Sequence, residues 1–471
     1  MVLFRQETGG FSMGITKKLA SFVADLRYED LPPEIAERAK RLILDVTGNI
    51  IRARNDAEST PSLISSVNKL GLTEGKCSVM GDAQSYAPTA AALINGTLAH
   101  SLDFDDTHAE GSIHSSAPIV PAALAAAQMS DASGKELIAA VVAGYEVQIR
   151  LSLALNPAAH YDQGFHPTPT CGVFGATAAA GKLLGMDRQG IRSAFGMALS
   201  QAAGSMEFLT DGAWTKRSHV GQAAQNGLVC AVMAGEGFRG PEKAFEGRYG
   251  FLHAYSPCSD PDKAIAGLGE KWETMRLAVK PYPSCRYSHA AIDGIISLMK
   301  EHDIDADDVE EVEIGLPETG WKIIGGPEDK TSPQSTVDGQ FSMPFCAAVA
   351  LREGGLSWDD YKKHLNDETT RALTRKVKAV VDERAQAMFP QNMSSVTRIR
   401  TSNGEFETFV TIPRGEPENF LSDDEFREKF DGLCVPYLGV DQAHRLADSL
   451  LALEQANSIS AVMALSQGEH A

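Results

Sequence analysis

The sequence lacks the pairings on which cysteine chemistry is built. Its seven cysteines, at 77, 171, 230, 258, 285, 346 and 434, are odd in number, and no two are spaced as CxxC. That argues against a disulfide framework or a cysteine zinc site and points to free thiols in a reducing compartment, the cytoplasm. Positive charge is scarce as well: 43 Lys and Arg stand against 62 Asp and Glu, a formal net charge of −19. Without a basic face for the phosphate backbone, no nucleic-acid partner is expected. A small anionic ligand remains open, because a few cations in a cleft set the local field whatever the net charge. Long apolar runs are missing too. Stretches such as 137–145 fall short of the ~20 residues that cross a bilayer, so no membrane partner is expected. The opening MVLFRQETGGFSMG has no apolar segment of the kind a signal peptide carries.

Motif absences narrow the chemistry. There is no HExxH, no EF-hand loop and no GxxxxGKS/T phosphate loop. GEGFRG at 235–240 matches GxGxxG, but it follows a helical pattern and has no βαβ unit around it, so a dinucleotide site is not expected. A chain of 471 residues is too long for one ordinary core.

What is present reads as helix over the first 260 or so residues. Thr16 is placed to cap a helix whose apolar face is Leu19, Phe22, Val23 and Leu26. Pro32 and Pro33 open a second, with a stripe from Ile35 to Ile50. Alanine-rich segments at 87–99, 117–128 and 137–149 suit close helix packing. After about Leu268 the pattern changes. Val312, Ile314 and Leu316 alternate as in a strand, and 396–401 and 405–412 flank Asn403-Gly404, a hairpin signal. Ser422 and Glu425 form a capping box before a helical close. The expected architecture is mainly α: helical residues 1–268, an α+β lid over 269–415, and C-terminal helices over 416–471 that return to the first domain.

Four polar clusters interrupt the apolar segments. SLDFDDTHAEGSIHSSAP (101–118) carries Asp103, Asp105, Asp106, Thr107, His108, Glu110 and His114 between two apolar helices. Such groups are solvated, mutually paired or functional. One reading is an acidic loop with helix caps at Asp106 or Ser115; the others are a metal site or a proton-transfer site. No second ligand cluster matches it, so no metal is assigned. In YDQGFHPTPTCGVFG, Pro167 turns His166 away from helical geometry at a helix start, where the positive dipole end favours a neutral imidazole. WTKRSHVGQAAQNG brings Lys216, Arg217 and His219 beside a small-residue helix. KPYPSCRYSHAAIDG sets Lys280, Arg286 and His289 at the apparent domain boundary, a common ligand position. Each has a plainer alternative as a packed loop, a solvated face or a structural linker.

In this order along the chain, LPPEIAERAKRLILDVTGN, NGTLAHSLDFDDTH, HSSAPIVPAALA, HPTPTCGVFGATAAAGKLLGMD, KRSHVGQAAQNG, KPYPSCRYSHAAIDG and SPQSTVDGQFSMPFCAAVAL resemble the MmgE/PrpD family. The resemblance implies a discontinuous helical domain, a lid, a site between them and a homodimer. It implies 2-methylcitrate dehydration, cis-aconitate decarboxylation or iminodisuccinate epimerisation, none needing a metal or organic cofactor. By motif, the family's active-site positions fall on Asp103, Thr107, His114, His166, Lys216 and Lys280. In FSMPFCAAVAL the chain has Phe345 where many relatives carry tyrosine, which counts against a decarboxylase that uses that hydroxyl.

A mechanism on a di- or tricarboxylate fits these residues. Taking a proton α to a carboxylate builds charge that fixed cations must stabilise. Lys216 and Lys280 are the first candidates and Arg286 and His289 the second. His114 and His166 suit general acid–base work near neutral pH. Asp103 would orient an imidazole or accept from a substrate hydroxyl, and Thr107 would bind a carboxylate. A dehydratase-type lyase ranks first, an epimerase second and a decarboxylase third, with a non-catalytic paralogue last.

Overall fold

The computed structural model describes residues 14–326 and 328–468; most of the opening segment read above lies outside them. Buried apolar side chains fall into two cores. The larger is built from residues between Ile15 and Val279 and is completed by residues between Leu421 and Met463. The smaller draws only on residues between Tyr282 and Ile399.

The larger core is helix on helix. Helix α1 (Pro33–Asp56) starts at Pro33, whose fixed φ suits the first turn and whose missing N–H leaves no donor unpaired. Helices α2 (Pro88–Ala99), α3 (Ser116–Ser130), α4 (Gly134–Leu155), α5 (Pro167–Leu183) and α6 (Thr215–Gly235) follow, with α6 packed on α2 and α5, and α4 on α5. Small residues set these approaches. A methyl group on Gly96 would stand 2.9 Å from the Gly221 Cα, so α2 and α6 cross backbone to backbone. Ser133 and Glu136 cap α4 reciprocally.

By length and composition α4 could span a membrane, longer than the sequence stretches suggested, because Glu146 and Arg150 break its apolar run without ending its helix. It is wholly buried inside the protein, and Arg150 pairs with Glu146 at 3.0 Å, so it serves as a core helix. Thr16 does not cap the first helix, Ile15–Asp25. Gly14 is the cap, and Thr16 turns its hydroxyl to Glu246.

The smaller core holds a four-stranded sheet ordered β2-β1-β3-β4, with β1 Val309–Leu316, β2 Val377–Val381, β3 Ser395–Thr401 and β4 Gly404–Val410. β1 runs parallel to β2 and antiparallel to β3. Val312, Ile314 and Leu316 are fully buried, each worth roughly 1.5–3 kcal/mol of burial. The hairpin turn sits one residue earlier than its sequence signal: Thr401 pairs with Gly404 and encloses Ser402-Asn403. Helix α7 (His289–His302) lies on β3 and β4, and α8 (Met343–Glu353) packs on α7. Helix α9 (Asp423–Leu438), opened by the Ser422/Glu425 capping box, returns to pack on α1. The joint between the two cores brings residues 100–116, 277–286 and 336–341 together.

Candidate active site

Three helix N-termini meet at one cleft of about 390 Å³. His114 lies just ahead of α3, His166 is the N-cap residue of α5, and Lys216 is in the first turn of α6; all three line the cleft with His100 and Asp103. The positive dipole ends of these helices favour an anion there, although the first N–H groups of α3 are already taken by the Asp106 carboxylate. Val337, Gln340 and Phe341 close the other side from the smaller core. The mouth is apolar. Phe208, Leu209, Trp214 and Val337 rim it, the last three exposed.

Asp103 is the electrostatic centre. It occupies the left-handed region at φ 53°, which aspartate adopts more readily than most residues. Its carboxylate stands 3.1 Å from the Lys216 ammonium and 3.0 Å from that of Lys280, which also donates to the Asp103 carbonyl at 2.6 Å. Burial alone would raise its pKa, but the two ammoniums outweigh burial and hold it far below the ordinary carboxylate range. Burial depresses the Lys216 pKa, and the Asp103 charge more than restores it. Two ammoniums and one carboxylate leave a net charge of +1. Lys280 does not itself line the cleft; it stands behind Asp103 and is almost wholly buried.

The imidazoles form a second group. His100 Nδ1 is 2.8 Å from Asp105, and His114 Nδ1 approaches the same oxygen at 3.2 Å without hydrogen-bond geometry. The His100 ring lies 4.5 Å from that of His114 and 6.2 Å from that of His166. Burial, outweighing Asp105, pushes His100 down to about 4. Burial first, then His100 and Lys216, holds His166 well below its ordinary range, which favours the neutral imidazole at physiological pH. The sequence reading of His166 as neutral stands, but burial among other cationic and imidazole groups is the dominant cause. Burial raises Asp105, yet the imidazoles of His100 and His114 overcome it and keep it ionised.

Asp106 fills the helix-cap role. Its carboxylate accepts from the backbone N–H groups of Ser115 and Ser116 and from the Ser116 hydroxyl, with burial raising it to about 7. Four other sequence candidates stand apart from the cleft lining. Thr107 bridges to Ala278 through its backbone, and its hydroxyl accepts from Arg286, whose guanidinium is also paired with Glu416. Arg286 is therefore no free carboxylate clamp. His289, offered as a cation, is buried 5.4 Å from the Tyr282 ring centroid, and burial followed by Arg286 and Lys280 drives it to the neutral form. Phe345 packs in the smaller core, its ring 5.8 Å from that of Tyr361.

Sequence reasoning passed over His100, Tyr161 and Gln340, all lining residues. His100 had one signal, its position five residues ahead of Asp105 across a turn. Gln340 donates to the carbonyls of Leu102 and Pro283, tying the smaller core to the Asp103 turn. His100, Asp105 and His114 could also hold a metal ion, since their donor atoms lie within 4.8 Å of one another. The second nitrogen of His100 has no partner, whereas metal-bound imidazoles usually have theirs held.

A mainly helical chain with a small α+β unit, meeting at a cleft of lysine, aspartate and histidine, is the class that fold and site define. The MmgE/PrpD N-terminal domain matches residues 17–264 and the C-terminal domain residues 282–455, and the chain belongs to the MmgE/PrpD family. It is 29% identical to a cis-aconitate decarboxylase-like protein of Aspergillus oryzae over 97% of this chain and 98% of that one. It is 27% identical to the cis-aconitate decarboxylase of Aspergillus terreus, covering 96% of each, and 25% identical to that of Homo sapiens, covering 96% and 95%.

Proposed function

We propose that this chain is a lyase acting on a small tricarboxylate, with decarboxylation of a cis-aconitate-like substrate as its leading reaction. The observation that carries the reading is the Lys216 ammonium, which lines the cleft with Arg217 and is held by Asp103 beside the imidazoles of His100, His114 and His166. An anionic substrate is drawn in by the ammonium of Lys216 and the helix N-termini. Loss of CO2 leaves an electron pair on carbon, spread into the adjacent carboxylate, and a proton must be delivered to it. His114 is the donor in this reading, because it lines the cleft with its ring nitrogen 3.2 Å from the Asp105 carboxylate.

Relatives matched along the whole length carry decarboxylase names. Phe345 weighed against this reaction in the sequence, but it packs outside the cleft, so a missing hydroxyl there takes nothing from the site. Dehydration of the 2-methylcitrate type is the second reading. A neutral His166 and a His114–Asp105 pair in one cleft supply the base and acid that it needs.

Incubation with cis-aconitate, 2-methylcitrate and citrate in deuterium oxide, followed by proton NMR, separates the two. Decarboxylation yields a product one carbon shorter that carries one deuterium. Dehydration converts 2-methylcitrate to an alkene without carbon loss. No conversion of any of the three removes the proposal.

A further inference from the structure

Behind the Asp103 turn, on the side away from the cleft, lies a buried cation that the chemistry above does not use. Lys429, on α9, donates to the carbonyl of Phe104 at 3.0 Å and to that of Lys280 at 2.8 Å. Its ammonium pairs with Asp45 of α1 at 2.6 Å and lies 3.7 Å from the centre of the Phe104 ring. The side chains of Lys429 and Asp45 are 7% and 1% exposed, too dry for an ordinary surface pair. Asn49, one turn on from Asp45, donates to the same Phe104 carbonyl at 3.2 Å.

We propose that Lys429 is a positioning residue that locks together the two backbone segments carrying Asp103 and Lys280. The inference rests on the functional reading, in which that pair helps to set the charge of the cleft. Two observations support it. Asp103 sits in a left-handed turn at φ 53°, and the next carbonyl along the chain is the one Lys429 and Asn49 grip. Lys280 reaches Asp103 from a separate segment, and Lys429 holds that residue's own carbonyl. One ammonium therefore spans the backbones of both partners. A displacement of about 1 Å in such a pair can cost about 100-fold in rate.

Lys429 also lines a second cavity, of about 440 Å³, walled by Tyr282, Trp358, Arg414 and Leu433. A small amine can enter from that side, which permits a chemical rescue. In Lys429→Ala, kcat should fall about 100-fold with KM changing less than kcat, and ethylammonium, but not ethanol at equal concentration, should restore part of kcat. Removing Lys429 alone leaves the buried Asp45 carboxyl without its ion partner, so Asp45→Asn/Lys429→Met serves if the single variant does not fold. Its crystal structure should show the Asp103–Lys280 contact opened. A folded variant with unchanged kcat, or one with that contact intact, overturns the proposal. A wild-type chain inert toward every tricarboxylate overturns the functional reading alone, and the crystal structure of the double variant then decides the positioning role.

Discussion

Replacing Asp103 with Asn tests the electrostatic core of the site, because it removes one charge and almost no volume. Asparagine also tolerates the left-handed backbone at φ 53°, so the turn need not change. The Lys216 side chain is 30% exposed, and its half of the pair is worth at most about 1 kcal/mol. The Lys280 ammonium is 4% exposed, and stripping the partner from a buried ion costs about 3–5 kcal/mol. Lys280 keeps the Asp103 carbonyl at 2.6 Å, which places the total near the lower end, about 3 kcal/mol. The kinetic effect should split. Cleft charge rises from +1 to +2, so KM for a tricarboxylate falls, while the two ammoniums lose their anchor and kcat drops about 100-fold. Urea unfolding and steady-state kinetics at pH 6–7 measure both. Asp103→Asn/Lys280→Met, which removes the stranded cation, should be more stable than Asp103→Asn. An Asp103→Asn protein within about 0.5 kcal/mol of wild type, or a double variant less stable than the single, would refute the argument.

Glutamine at His114 or at His166 should keep the far-ultraviolet circular dichroism of the wild type and lower kcat by ~10²–10⁴, read on whichever substrate the NMR panel identifies. His100 should make stability fall with acid. Its pKa is near 6.5 unfolded and about 4 folded, so the unfolded chain takes the proton first, and the difference of 2.5 units is worth about 3 kcal/mol between pH 6.5 and 4. Asp106, raised from 3.8 to about 7, acts with the opposite sign across the whole of that range, so the comparison is with His100→Gln, which should lack the His100 contribution in pH-dependent unfolding. Phe345→Tyr should gain no activity and lose about 1–2 kcal/mol in the same unfolding assay, because the added hydroxyl is buried beside Tyr361; a large rise in kcat would place that hydroxyl in the reaction after all.

Local signals translated well into elements. Pro33 opens its helix, Ser422 and Glu425 cap theirs, and the 309–316 alternation is a strand with the expected face inward. The hairpin turn slipped by one residue because register is set by pairing across β3 and β4, not by the turn dipeptide alone. In the site, Asp103, His114, His166 and Lys216 were legible as members of polar clusters beside helix starts or apolar segments, and the family resemblance is what picked them out of those clusters. His289, Arg286 and Phe345 could not be placed, since their roles depend on Ser284, Glu416 and Tyr361, partners that no spacing rule connects to a cleft. His100 was missed for a related reason. It ends a helix with no cap signature, and only the fold brings its ring against two others.

The histidines proposed to handle protons stand at the N-termini of the long helices α3 and α5, whereas the apolar mouth is made by short segments, 206–214 and 336–341. Choice of substrate and treatment of substrate are thereby written in separate stretches of chain. Random changes confined to the mouth can retune what is admitted while the proton-handling apparatus is inherited intact, which makes those two short segments the natural place to begin when redirecting this scaffold toward a new acid.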